Sequence, residues 1–200
     1  GGNADVRWFE IDPCFFIHSV NAFERGAKIE LEVPRYSRFM TVGKPDILAQ
    51  GVRSQLCRFT FDLTTGQASE EILDDRLVEF PRINERLMGR RHAISYTIGG
   101  DLTEGPVAFG SIVKHDSRTG VGSVYSPGEG RVPSEAIFVP AHNATAGDDG
   151  WLLSFVYEPR RDASDLVIID AAELATQAII ELPTRVPFGF HGNWVQGDQR

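Results

Sequence analysis

Three aspartates stand at equal intervals of 54 residues, Asp62, Asp116 and Asp170, each closing a run of β-branched or aromatic residues. The first sits in Phe59-Thr60-Phe61-Asp62-Leu63-Thr64-Thr65-Gly66. The second sits in Ile112-Val113-Lys114-His115-Asp116-Ser117-Arg118-Thr119-Gly120, and a degenerate third in Val167-Ile168-Ile169-Asp170-Ala171-Ala172-Glu173-Leu174. An aspartate at a strand end bonds the backbone beyond it and starts a turn, and a glycine four residues on supplies the positive φ that a tight hairpin needs. One such pattern is weak, but three at one period indicate a repeated unit. Repeats of roughly 50 residues built from four strands are the mark of propeller blades. The 200 residues hold about 3.7 units of 54, fewer than the roughly four to eight with which propellers close. A part of a propeller is the expectation.

The rest of the chain agrees with an all-β fold. Short runs of β-branched and aromatic residues recur between Gly, Pro, Asp and Asn, while helical periodicity is sparse. Expected strands include 14–21, 28–33, 55–62, 151–157 and 165–170. Residues 34–51 read as one long loop, and 171–176 as a helical turn too short to stand alone. The net charge of -8, without runs of Lys or Arg, argues against a nucleic-acid partner. Two cysteines, Cys14 and Cys57, form neither a disulfide framework nor a zinc motif, which points to a reducing, cytoplasmic setting. No apolar run reaches the ~18 residues of a spanning helix. The opening Gly1-Gly2-Asn3-Ala4-Asp5 is neither an initiator nor a signal segment, so the chain is expected to start inside a longer one.

Five histidines are candidates for chemistry, at 18, 92, 115, 142 and 191, none at the His-x-x-x-His spacing of a helical metal pair. His18, in Phe15-Phe16-Ile17-His18-Ser19-Val20-Asn21, fits a core imidazole bonded to a carbonyl, or a metal ligand on a rigid strand. His191, in Pro187-Phe188-Gly189-Phe190-His191-Gly192, combines aromatic cover with glycines that allow close backbone approach. His92, His115 and His142 read as exposed. Glu79 and Glu135 each interrupt an apolar run; they either face outward or must be paired, since an isolated buried carboxylate costs several kcal/mol. Bonding the free N–H of a metal-bound imidazole would satisfy them. Phe16, Phe188 and Phe190 read as core packing before cavity lining.

Several of these segments, taken in order, resemble the carotenoid cleavage oxygenase family, which includes the lignostilbene dioxygenases and the animal retinoid isomerase. They are Trp8 through Glu24, with its Phe/His-rich stretch ending in Asn21-Ala22-Phe23-Glu24; Glu79-Phe80-Pro81-Arg82-Ile83-Asn84; Pro133-Ser134-Glu135-Ala136-Ile137-Phe138-Val139-Pro140; Asp148-Asp149-Gly150-Trp151; and Pro187 to Gly192. The resemblance implies a seven-bladed propeller with a non-haem Fe(II) on its axis, held by four histidines, three of them bonded to glutamates. His18 and His191 match two of the iron ligands, and Glu79 and Glu135 two of the glutamates. Counterparts of the other two ligands and the third glutamate are absent, so the chain reads as the C-terminal part of such a propeller, its N-terminal blades missing. The implied reaction inserts both atoms of O2 across one conjugated C=C bond of an apolar polyene or stilbene. Lipid-soluble substrates further imply peripheral membrane contact. Two other readings remain at this point. One is a non-catalytic propeller piece that binds an apolar ligand or a protein; the other, a calcium-dependent propeller hydrolase, lacks the carboxylate cluster it would need.

Overall fold

The computed structural model describes residues 6–37, 54–101 and 108–197. Within them the chain is all-β, and its strands form three antiparallel sheets with consecutive strands as neighbours. Sheet one runs β1 (Asn21–Arg25), β2 (Lys28–Tyr36), β3 (Ser54–Asp62), β4 (Ala68–Asp74), and sheet two runs β5 (Leu77–Arg82), β6 (Ile94–Asp101), β7 (Ala108–Asp116), β8 (Val121–Tyr125). Sheet three takes β10 (Ile137–Pro140), β11 (Gly150–Glu158), β12 (Ala163–Asp170) and β13 (Thr176–Glu181), and the short β9 (Val132–Pro133) pairs with β11. Among the described residues the one helical turn, Glu85–Leu87, is a 3-10 turn capped by the side chain of Asn84. No helix among the described residues is long and apolar enough to cross a membrane.

Each aspartate of the 54-residue period ends the third strand of its sheet. Asp62 Oδ1 accepts from the N–H groups of Thr64 and Thr65 at 2.8 and 3.0 Å, and Asp170 Oδ1 from those of Ala172 and Glu173, both at 2.9 Å. Asp116 Oδ1 accepts from the N–H of Arg118 at 2.9 Å. In all three turns the N–H four residues on donates back to the aspartate carbonyl, from Gly66, Gly120 and Leu174. Those residues take φ of 74°, 69° and 53°. The third copy is degenerate in sequence but not in conformation: Leu174 accepts the left-handed backbone and packs against the core. Gly120→Ala is therefore expected to cost about 1–2 kcal/mol, the penalty of a Cβ in that region, since no atom lies within 4 Å of the added group to cause a clash. Gly110→Ala, at ordinary φ and equally open, should cause no loss; urea unfolding midpoints of the two variants check this.

The cores lie between sheets. Tyr96, Ile98, Ile112, Phe138, Leu152 and Ile169 fill the space between sheets two and three, and Val20, Leu56, Val78 and Ile83 join sheets one and two. Burial falls away toward the fourth strands, and every residue of β13 is exposed. The first strands β1, β5 and β10 thus form the inner margin, where the candidate site residues gather.

The described residues hold two four-stranded sheets and one of five strands, counting β9. Two expectations need correction. Residues 14–21 are not a strand; only Phe15 bridges, to Tyr36, and β1 begins at Asn21. The expected loop 34–51 loses its first three residues to β2, which runs to Tyr36 with Pro34 opposite Leu56. Glu32 and Tyr36 both turn their backbone groups toward the N-terminal segment, bonding Val20 and Phe15. Pro34 lies midway on that side, where no strand needs the N–H it lacks. Residues 38–51 of that expected loop lie outside the described residues.

Candidate metal centre

His18 sits three residues ahead of β1, Glu79 within β5 and Glu135 two residues ahead of β10, while His191 lies on the extended segment after β13. The fold brings these four together. His18 Nδ1 is 2.6 Å from Glu79 Oε2, and His191 Nδ1 is 3.1 Å from Glu135 Oε1. Both carboxylates are buried, at 4% and 6% exposure, so neither faces outward. Their other bonds show which group donates. Glu79 Oε1 accepts from the Tyr36 hydroxyl at 2.9 Å, and its Oε2 also accepts from the Phe80 N–H at 2.6 Å; Glu135 Oε2 accepts from the Gly192 N–H at 3.0 Å. Burial, and then the charge of Glu79, push the Tyr36 phenol far above its ordinary value, which keeps it a donor. A carboxylate surrounded by donors requires the imidazole Nδ1 to carry its proton.

With both Nδ1 atoms protonated, each Nε2 presents a lone pair. Those two atoms face one another at 3.1 Å across rings set nearly edge to face, at 82°. Two acceptors at that distance repel unless a proton or a cation lies between them. Zinc–imidazole bonds run about 2.0–2.1 Å, so two such nitrogens at right angles round one ion stand about 3 Å apart. The pair therefore fits two neighbouring ligands of a divalent first-row ion, each imidazole held from behind as metal-bound histidines usually are. No group of three or more His, Cys, Asp or Glu is gathered to hold a metal among the described residues.

Local backbone geometry aims the pair. β5 bulges between Glu79 and Arg82 against β6, and Phe80 takes a φ of 50°, an arrangement typical of functional sites. The Phe80 ring lies 5.5 Å from His18 and 6.0 Å from His191, and contacts Phe109 at 5.8 Å. Beside it opens a cavity of about 350 Å³, lined by Phe80, Ile98, Phe109, Pro133, Phe188 and one edge of Glu135. Of the three aromatics read as core, Phe188 forms a wall of this cavity, and Phe16 and Phe190 are exposed.

The remaining histidines lie apart from the pair. His142 is exposed, as expected. His92 and His115 are buried, contrary to expectation, because each has a carboxylate partner: His92 Nε2 is 3.0 Å from Glu32, and His115 Nδ1 is 3.2 Å from Asp74. His115 Nε2 also lies 2.8 Å from the Thr97 hydroxyl. Sequence reasoning missed Tyr36, which lay in the expected loop, and Arg82, whose signal was its place in the Glu79–Asn84 motif.

Sheets of four or five antiparallel strands, with a carboxylate-backed imidazole pair on their inner margin beside an apolar cavity, define a propeller-like protein with a candidate metal centre. A family model described as retinal pigment epithelial membrane protein matches residues 1–196. The carotenoid cleavage oxygenase of Mycobacterium tuberculosis is 41% identical over 97% of this chain and 40% of its own length. The apocarotenoid-15,15'-oxygenase of Synechocystis is 30% identical over 96% of this chain and 41% of its own. The crystal structure of cobalt-substituted Synechocystis ACO superposes with a TM-score of 0.85 at 29% identity, covering 94% of this chain and 40% of that one. The chain belongs to the carotenoid cleavage oxygenase family, and it spans about 40% of the length of these curated relatives.

Proposed function

We propose that this chain supplies the C-terminal part of a seven-bladed propeller in a longer polypeptide, a non-haem Fe(II) dioxygenase that cleaves a conjugated double bond of a carotenoid, apocarotenoid or stilbene. The observation that carries the reading is the pair of Nε2 lone pairs, 3.1 Å apart and each backed by a buried carboxylate, beside an apolar cavity. The relatives' names support the substrate class. His18 and His191 would be two of the iron's ligands, and imidazole suits that metal. Bound iron supplies the electronics that bring O2 to the double bond.

The chain's own residues do the positioning. Glu79 and Glu135 hold the two Nδ1–H groups, which fixes ring orientation and offsets part of the metal's charge. Phe80, Ile98, Phe109 and Phe188 offer flat apolar contact to a polyene and exclude water beside it. Addition of O2 across R–CH=CH–R′ gives RCHO and R′CHO with no proton gained or lost. The cavity matches that demand: among the described residues its one titratable lining group is Glu135, already bonded to His191 and Gly192.

The test is to express the chain with its upstream sequence, load Fe(II), and supply an apocarotenal and a hydroxystilbene under 18O2. The expected result is two carbonyl fragments from at least one of them, each carrying label. Stoichiometric iron without cleavage of either would overturn the dioxygenase reading in favour of a binding role.

A further inference from the structure

We infer that Arg82 is a positioning residue that fixes His191, so that one short motif, Glu79 to Arg82, sets both imidazoles. The inference rests on the reading of His18 and His191 as a metal pair. It starts from the register of β5. Glu79 pairs with Ile98 and Arg82 with Tyr96, three steps against two. Ile98 and Tyr96, two apart on β6, share a face, and so therefore do Glu79 and Arg82; in an unbulged strand their odd spacing would put them on opposite faces. The extra residue is accommodated where Phe80 takes its positive φ. The bulge thus turns a carboxylate toward His18 and a guanidinium toward the other half of the site.

Arg82 reaches one end of the tripeptide His191-Gly192-Asn193 directly, at Asn193, and the other through Glu135. Its Nη2 donates to Asn193 Oδ1 at 2.9 Å and to Glu85 Oε1 at 2.6 Å, and its Nη1 lies 3.6 Å from Glu135 Oε1. Glu135 in turn takes the His191 ring on one oxygen and the Gly192 N–H on the other. Ser164 bonds Thr184 and Val186, and Tyr157 packs on Phe188, so the first half of the segment is held independently of Arg82; beyond Phe188 its hydrogen bonds among the described residues are those of His191, Gly192 and Asn193. Residues 183–197 join no sheet, and the His191 side chain is 51% exposed. The Arg82 side chain is mostly buried, at 15%, and its planar fork can meet three acceptors at once, which an ammonium cannot do in the same geometry. Arg82 therefore orients the ring through Glu135 and through the backbone anchored at Asn193, without touching the metal position itself.

The test uses the 15N-labelled chain and two readouts. Long-range proton–nitrogen correlation of the imidazoles should show His18 and His191 each as a single Nδ1–H tautomer. In Arg82→Ala, His191 should average between tautomers while His18 keeps its own. Co(II), followed by its visible absorption, should bind the variant about tenfold more weakly, the size of effect usual for residues that orient a metal ligand. Arg82→Lys should recover only part of this, and Asn193→Ala should lose a few-fold. If Arg82→Ala does not fold, the lysine and Asn193 variants carry the same comparison. Unchanged His191 ring signals with Co(II) affinity within twofold would overturn the role of Arg82, while a loss of Co(II) in His18→Ala and His191→Ala would leave the metal pair standing. Co(II) binding indifferent to both histidines would instead remove the metal reading, and the tautomer of His191 would still decide whether Arg82 orients it.

Discussion

Replacing either His18 or His191 by alanine is expected to weaken Co(II) or Fe(II) binding by at least about tenfold, with Glu79→Gln and Glu135→Gln each costing about 10–100-fold. The expectation follows from the two Nε2 atoms, whose lone pairs converge at 3.1 Å with no other partner among the described residues. Removing one ring halves the donor set; neutralising one carboxylate frees the ring behind it to rotate and to move its proton from Nδ1. Stability should hardly change in His191→Ala, because that side chain is half exposed and lies outside the sheets. Metal titration by visible absorption beside a urea unfolding curve separates the two effects. An unchanged affinity in both histidine variants would mean that the rings face each other for packing alone. On the function proposed above, the same variants should abolish cleavage when the chain is expressed with its upstream sequence.

Glu32→Ala should strongly damage folding, at about 3–5 kcal/mol, the usual cost of removing one member of a buried ion pair. Glu32 is 2% exposed on β2. Its Oε1 accepts from Arg58 Nε and Nη2 at 3.0 and 2.7 Å, and its Oε2 lies 3.0 Å from His92 Nε2. His92 Nδ1 meets Asn21 Nδ2 at 3.2 Å, and Asn21 also holds Arg90 O and Gly89 N–H, both at 2.9 Å. The network ties sheet one to the turn ahead of β6, and alanine would leave Arg58 and His92 without their shared acceptor. Burial alone would raise the Glu32 carboxyl, but His92 and then Arg58 outweigh it and hold it below its ordinary 4.5. A lowered folded value means that this stabilisation is present above about pH 4.5 and is lost as acid titrates the folded carboxylate. Wild-type stability should therefore fall on acidification below that point, and the variant's should fall less. Urea midpoints at pH 7 and pH 4 measure both; a loss under 1 kcal/mol at pH 7 would refute the assigned role.

The legible parts of this protein are the local ones. Asp62, Asp116 and Asp170 write their turns within five residues, so their spacing disclosed both the hairpins and the repeat that organises the sheets. Pro34 misled because a strand that tolerates proline does so for a reason written in its neighbours' pairing and not in itself. His92 and His115 misled for a related reason. A histidine flanked by arginines or by a turn reads as solvated, and the carboxylates that allow burial, Glu32 and Asp74, stand 60 and 41 positions away.

The candidate site divides along the same line. His18, Glu79, Glu135 and His191 could be named from motifs, because each sits in a short, distinctive run of residues. That His18 and His191 oppose their nitrogens across 173 positions, that Tyr36 and Phe80 join them, and that Arg82 reaches Asn193 were decided by the tertiary structure. Turn chemistry and strand alternation act over a few bonds and are carried by the residues themselves. The convergence of side chains depends on how three sheets pack along their inner margin and on one extra residue in β5, and long-range packing of that kind leaves no periodic trace in the chain.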